Sequence, residues 1–350
     1  MKMKKLGMLA FGLLALSACS TGKTTETSET SDKNKTETKE TSKEATSLEG
    51  KEITVYSAGP DGLSEKLKVA FEEKTGIKVN LFQGTTGKIL AKLEAEKGKP
   101  LADVLVLASL SSMDSLKQAD QLQAYAEAIG KENLNENWLD ADDFYFGYSA
   151  SALGITYNSK NVEEAPKDWA DLADAKWQDA FNIPDPTLSG SALDFLYGYT
   201  TTEQGWETVT SLFDNGMQIM GANKSALDAV ITGEKNATVS GVDYMAYKAK
   251  ADGEPIEIVY PESGTVVSPR AVGITKTAKE VAASQAFVDF LLSDDGQSLV
   301  ANAYLLPGNS HIPVKDRPAL ADLKQIDVEW QDSEEKQMDV LQKFASISQK

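Results

Sequence analysis

Two doubly wound α/β lobes joined by crossing strands are what the sequence predicts, on three observations. Residues 52–107 alternate strand and helix in the order βαβαβ, which builds a parallel sheet with helices on its faces. A middle region, roughly Ser151 to Tyr260, repeats the style with short strands and helices of its own. The body from about Leu48 to Lys350 is roughly 300 residues, enough for two lobes and too long for one core.

Glu52 to Ser57 is β-rich and alternating, and Ala58-Gly59-Pro60-Asp61-Gly62 turns the chain after it. Leu63, Leu67, Ala70 and Phe71 then recur at helical spacing until Gly76 stops the helix. Ile77 to Phe82 is a second strand. A helix follows over Lys88 to Lys97, apolar at Ile89, Leu90 and Leu93 and ended by Gly98 and Pro100. Ala102 to Leu107 is a continuous apolar run, as in a parallel strand covered on both faces. In the middle region Ala180 to Asp185 reads as a strand. Ala192 to Tyr199, Ala226 to Ile231 and Tyr244 to Ala251 read as helices. Thr265 to Pro269 and Ala271 to Ile274 are extended, and Lys279 to Leu292 is a strong helix stopped by Ser293 to Gly296. The stretches Gly147 to Ala152 and Gly264 to Arg270 read as crossings between lobes. Lobe 1 is then expected over residues 51–150 plus about 268–315, and lobe 2 over 151–267 plus about 316–350.

The first nineteen residues set the expected location. Met1 to Lys5 is cationic, Leu6 to Leu16 is apolar, and Leu16-Ser17-Ala18-Cys19 closes the run. This order is that of a secretory signal, and its apolar part is too short for a permanent span of a ~30 Å bilayer core. The tetrapeptide resembles the bacterial lipobox, which implies cleavage before Cys19 and a diacylglyceryl group on its thiol. Residues 20–50, mostly Ser, Thr, Lys and Glu at first, cannot bury enough surface to order themselves. They are expected to form a tether that holds the body off the membrane.

Composition excludes more than it proposes. Formal net charge is −18 and becomes more negative once Lys2, Lys4 and Lys5 leave with the signal. A nucleic-acid partner is not expected, because phosphate neutralisation needs a basic face. The chain has one histidine, His311, and one cysteine, Cys19. Cys/His zinc sites are excluded by number, and no metal or cofactor is expected. His311 sits in Gly308-Asn309-Ser310-His311-Ile312-Pro313 with no Gly-x-Ser-x-Gly elbow, and no phosphate-binding P-loop or dinucleotide fingerprint is present. The expectation is a protein that is not an enzyme.

Several phrases resemble extracellular solute-binding proteins of ABC importers. They are Ile53 to Ser57, Phe71 to Val79, Ala102-Asp103-Val104 and Ala286 to Leu292 with Ser293 to Gln297. Others are similar to the 2-aminoethylphosphonate-binding group within the ferric-ion-binding-like superfamily: Tyr56 to Pro60, Gln83 to Lys88, Asp185 to Ala192, Gly241 to Tyr244 and Ser263 to Arg270. The resemblance implies a type II periplasmic-binding-protein-like fold. It also implies hinge closure on a small ligand, and permease and ATPase partners. A lipid-anchored monomer on the extracellular face of the membrane is expected. Ferric binders of the wider clan use a histidine after the first strand, a glutamate after the third and two adjacent tyrosines. Here those places hold Gly59-Pro60, Leu107-Ala108-Ser109 and Asp243-Tyr244, so bare ferric ion is disfavoured.

A phosphonate needs converging N–H and O–H donors, which helix N-termini supply. Three places fit: Thr85 and Thr86, Ser189-Gly190-Ser191, and Asn223 with Lys224 and Ser225. Each also fits an ordinary N-cap. Arg270 could grip the anion bidentately or pair with a lobe carboxylate, and Lys88 is either a ligand group or a solvated helix lysine. For the ammonium of 2-aminoethylphosphonate the candidates are Asp243, which could equally cap the following helix, and Tyr244. Ser57, Ala58, Gly59 and Ser109 lie at strand C-terminal ends, where open α/β sheets hold their ligands. A sugar phosphate, a glycerol phosphate or a ferric complex stay open as alternative ligands.

Overall fold

The computed structural model describes residues 48–349 apart from 97, 98 and 332. The signal (1–19), its Cys19 and nearly all of the tether (20–50) lie outside the described residues.

The first lobe begins as its alternation dictates. Strand β1 (Glu52–Ser57) leads to α1 (Asp61–Thr75), β2 (Lys78–Gln83), α2 (Thr86–Ala95) and β3 (Val104–Leu107). β1 lies parallel between β2 and β3. Leu63, Leu67 and Phe71 of α1 are buried on one face of this sheet, and Ile89 and Leu93 of α2 are buried on the other. Gly76 ends α1 with φ 70, a left-handed conformation that a side chain would strain. Two elements follow, α3 (Leu110–Gln118) and β4 (Leu122–Gln123).

The chain then leaves the lobe along one long strand, β5 (Tyr145–Asn158). The second lobe comprises β6 (Phe181–Ile183), α4 (Gly190–Tyr199), α5 (Gly205–Asp214), β7 (Gln218–Ile219), α6 (Asn223–Thr232), β8 (Ala237–Val242), α7 (Asp243–Ala251) and β9 (Ile256–Val259). A second long strand, β10 (Val266–Thr275), runs back, followed by α8 (Val281–Leu292), α9 (Asp294–Asn302), β11 (Leu306–Pro307) and α10 (Glu334–Ser348).

The main sheet order is β2-β1-β3-β10-β5-β8-β6-β7. β5 and β10 pair antiparallel from Leu153 with Val266 to Tyr145 with Gly273, with a bulge between Arg270 and Ala271. On its other side β10 pairs with β3 over Ala271 to Ile274, while β5 pairs with β8 and β9 from Leu153 to Asn158. Each long strand therefore belongs to one lobe at one end and to the other lobe at the other end. The bulge lets β10 twist between the two, as bulges do.

Two elements depart from the sequence reading. Ser293 was expected to end a helix, and it does, but it also starts the next. Its Oγ accepts the Gly296 N–H of α9, and Asp294 and Asp295 sit in the favourable first turn. Terminal α10 packs on α4 and α5 of the second lobe and also reaches the first, where Gln337 Nε2 donates to Ser111 Oγ at 2.9 Å. No helix among the described residues is long and apolar enough to cross a membrane.

Candidate functional site: a cleft ringed by helix N-termini

A cleft of about 830 Å³ opens where the strands of both lobes end. Ala58, Gly59 and Pro60 follow β1, Gln83 to Thr86 follow β2, and Ala108 follows β3. From the second lobe come Leu188 to Ser191, Ala222 to Lys224, and Tyr244 with Met245. All of these segments follow a strand, and all but Ala108, which precedes the buried cap of α3, open a helix at the cleft. Five helices, α1, α2, α4, α6 and α7, thus direct their N-termini at one space. First-turn amides carry partial positive charge and lack intrahelical acceptors, which is chemistry that can receive an anion.

The local chemistry keeps those amides available. Thr85 caps α2 through its Oγ1, which accepts from Lys88 N. Ser189 caps α4 through its Oγ, which accepts from Ala192 N at 3.2 Å. The N–H groups of Thr86, Gly87, Gly190, Ser191, Asn223 and Lys224 have no acceptor among the described residues. Ser189 Oγ donates to Asn223 Oδ1 at 2.8 Å, and Asn223 Nδ2 donates to Ser191 Oγ at 2.9 Å. This ladder locks the starts of α4 and α6 side by side. A Cβ built on Gly190 would lie 3.6 Å from Ser109 Cβ and 3.9 Å from Thr86 Cβ. The α4 N-terminus therefore abuts the first lobe directly.

Arg270 is the one buried cation of the cleft lining, at 4% exposure. Its guanidinium donates to Ala58 O at 3.3 Å and to Ser151 Oγ at 3.4 Å, and stands 5.3 Å from the Tyr244 ring. Among the described residues no carboxylate lies within ion-pair distance of it. A buried charge with neutral partners is costly unless something else compensates it. The other cations of the lining are exposed. Lys224 pairs with Asp228 and Lys248 with Asp252, whereas Lys88 has no ion pair among the described residues.

Of the residues expected at the site, the structure gathers Ala58, Gly59, Thr85, Thr86, Ser189, Gly190, Ser191, Asn223, Tyr244 and Arg270 around the cleft. Three others are corrected. Ser57 is buried behind the lining, sharing a hydrogen bond with Ser64 Oγ at 2.9 Å and receiving the Gly59 N–H. Ser109 is buried too, its Oγ engaged by Ser111, Asp194 and the Ser112 N–H. Asp243 cannot meet a ligand amine. It is fully buried, and Arg317 holds its Oδ2 at 2.6 Å together with the Ala152 N–H, while Tyr244 N–H donates to Oδ1. Burial pushes this carboxyl up, and the Arg317 guanidinium and the two amides pull it back. His311 lies on the exposed loop after Asn309, outside the cleft.

One buried group was missed. Asp194, in the second turn of α4, is fully enclosed and has no cation within ion-pair distance among the described residues. It accepts from Ser268 Oγ at 2.5 Å and from Ser109 Oγ at 3.5 Å. Burial pushes its carboxyl up to about 7, against the pull of those hydroxyls and of Arg270.

Comparison with known proteins follows this geometry. Residues 99–336 match the family model described as bacterial extracellular solute-binding protein. The chain belongs to that family. It is a solute-binding protein and not an enzyme. Iron uptake protein A1 of Synechocystis sp. is 27% identical over 286 residues, which cover 77% of this chain and 79% of that one. A putative 2-aminoethylphosphonate-binding periplasmic protein of Salmonella typhimurium is 26% identical over 284 residues, covering 75% and 81%. Among solved structures, the periplasmic binding protein AfuA of Actinobacillus pleuropneumoniae, with fructose-6-phosphate bound, superposes with a TM-score of 0.77. The identity there is 22%, over 86% of this chain and 99% of that one. Such likeness establishes the two-lobed fold of the type II periplasmic binding proteins.

Proposed function

We propose that this chain, the substrate-binding component of an ABC importer, captures a small organophosphonate or phosphate monoester, 2-aminoethylphosphonate first among them. The observation that carries the reading is Arg270: a buried guanidinium without a carboxylate partner, facing a cleft into which five helix N-termini point. A phosphonate group would take the amides of Gly190 and Ser191 from the second lobe and those of Thr86 and Gly87 from the first. Arg270 would meet the same group from the crossing strand. Donors on both lobes mean that the cage is complete only when the lobes close. The organic end of the ligand would lie toward α6 and α7. Glu254 lines that part of the cleft without an ion pair among the described residues, and it replaces Asp243 as the proposed partner for an amine.

Of the three relatives, one is described as binding a phosphonate and one holds a phosphate ester, while the name of the third points to iron. The lining favours the phosphonate or phosphate group. Among the described residues no three His, Cys, Asp or Glu side chains gather as a metal site. Tyr244, the one tyrosine of the cleft lining, lies against a guanidinium whose charge would repel a trivalent ion. We further propose that Cys19 carries the lipid anchor and that residues 20–50 tether the body outside the membrane, where the permease, driven by its ATPase subunits on the inner face, receives the cargo.

Calorimetric titration with 2-aminoethylphosphonate, ethylphosphonate, glucose 6-phosphate and ferric citrate tests the ligand class. Saturable binding of a phosphonate or phosphate ester is expected. Binding of ferric citrate alone would overturn the reading. Weaker binding of ethylphosphonate than of its amino analogue, with the difference abolished by Glu254→Gln, would place the amine. Mass spectrometry of the mature N-terminus checks the anchor, with a diacylated Cys19 expected.

A further inference from the structure

Arg270 has no carboxylate beside it, yet a buried carboxylate stands one step away. On β10, Ser268 and Arg270 are two residues apart and point to the same face. Across the strand pair, Ser268 faces Ser151 of β5, and Ser151 Oγ is the group on which the Arg270 guanidinium rests. Ser268 Oγ in turn donates to Asp194. Guanidinium, Ser151, Ser268 and Asp194 therefore form one buried cluster beneath the cleft floor. Ser109, from the first lobe, touches the same carboxylate. The cluster joins both lobes and a crossing strand.

We infer that Asp194 is the internal counter-charge of Arg270, and that an anion entering the cleft displaces it from that role, so that capture brings uptake of a proton at Asp194. This rests on the oxyanion reading of the cleft. While the cleft holds no anion, the Arg270 field helps Asp194 to ionise. When a ligand anion neutralises Arg270, that help is withdrawn, and a fully enclosed carboxylate with two hydroxyl donors is left to carry its charge alone. Protonation is then favoured. Because burial has already placed this carboxyl at about 7, the exchange falls near neutral pH.

Of the other buried carboxyls nearby, Asp243 of α7 stays paired with Arg317, and Asp114 of α3 accepts from the Tyr145 hydroxyl and Gln118 Nε2. β8, which packs on α4, has no titratable side chain, and α10 presents neutral Gln337 toward Ser111. The charged residues of α10 nearby, Glu335, Lys336 and Asp339, are exposed. Around the guanidinium stand Tyr244 of α7 and Tyr148 of β5, the latter with its hydroxyl pushed up by burial. Lys88 lies at the lip. Asp194 acts as a positioning residue, without touching the ligand.

Glucose 6-phosphate loses its second proton near pH 6, so its charge is nearly constant from pH 7.5 to 8.5. Titration of the wild type with it should show proton uptake in buffers of different ionisation enthalpy. Affinity should fall as pH rises, by up to about tenfold per pH unit. Asp194→Asn keeps the shape and an acceptor for Ser268, and it should bind with a flat profile and no proton uptake. With 2-aminoethylphosphonate, whose own titration intrudes, the same difference between wild type and variant is the readout. Equal profiles for the two proteins would overturn the inference while leaving the oxyanion reading intact. If neither probe binds, that reading fails, and the carboxyl-carbon NMR titration of the ligand-free protein decides the inference. There Arg270→Met should move the Asp194 titration to higher pH, the signal being assigned by its loss in Asp194→Asn. An Asp194 titration unmoved by Arg270→Met would overturn the coupling.

Discussion

The chain has only two arginines, and the structure uses them in opposite ways. The side chains of Arg317 and Asp243 are both fully buried and form an ion pair, which also gathers Ala152 N–H of a crossing strand and the carbonyl of Tyr304. Arg270 is buried as deeply, with hydroxyl, carbonyl and aromatic partners and a cleft in front of it. The first arginine is saturated and holds the fold together. In the function proposed here, the second keeps its electrostatic capacity for a partner that comes and goes. Burial alone does not separate these roles; the presence or absence of a carboxylate partner does.

That contrast can be broken from either side. The largest effect is expected at Arg317. Arg317→Ala leaves the Asp243 carboxylate buried and unpaired, which should cost about 3–5 kcal/mol of stability by urea unfolding. Arg317→Ala combined with Asp243→Asn should recover part of that loss, because the stranded charge is gone. Arg270→Ala should lower affinity for the bound phosphonate or phosphate ester by about two to three decades in calorimetry. It should lower stability far less than Arg317→Ala. A reversal of these two patterns would exchange the assigned roles.

Asp194 sharpens the comparison further. Burial raises its pKa in the folded protein to about 7 from the ordinary aspartate value of 3.8, so the folded state holds its proton longer than the unfolded chain. The sign follows: stability from this group is full below pH 4 and is lost as pH rises toward 7, at up to about 1.4 kcal/mol per pH unit. Asp194→Asn should remove that fall, which denaturant curves at pH 5 and 7 would show. The smallest effect is expected at Ser189, where Ser189→Ala deletes the cap of α4 and the bond to Asn223, costing ~1 kcal/mol of stability.

What was legible in the sequence was local. The alternation of Glu52 to Ser57, the apolar run before Ser109, and the Ser189-Gly190-Ser191 helix start all express short-range rules, and they appear where periodicity and capping place them. Clefts at strand ends follow from the doubly wound order, so Ala58, Thr86 and Asn223 could be placed near one before any contact was known. What was not legible depended on distant partners. Asp243 looked available because its partner Arg317 lies 74 positions away. Asp194 gave no signal inside the helix expected over Ala192 to Tyr199, because Ser109 and Ser268, which hold it, lie 85 and 74 positions away. Ser293 carries a stop signal and a start signal in one residue, and only the start of α9 reveals the second.

The most direct test is a crystal structure grown with whichever phosphonate or phosphate ester binds tightest in the titrations. The account predicts an oxyanion within hydrogen-bond distance of the Arg270 guanidinium and of the Gly190 and Ser191 amides, with Asp243 still paired to Arg317. A ligand seated elsewhere, with Arg270 resting on Ala58 and Ser151 as it does here, would contradict it.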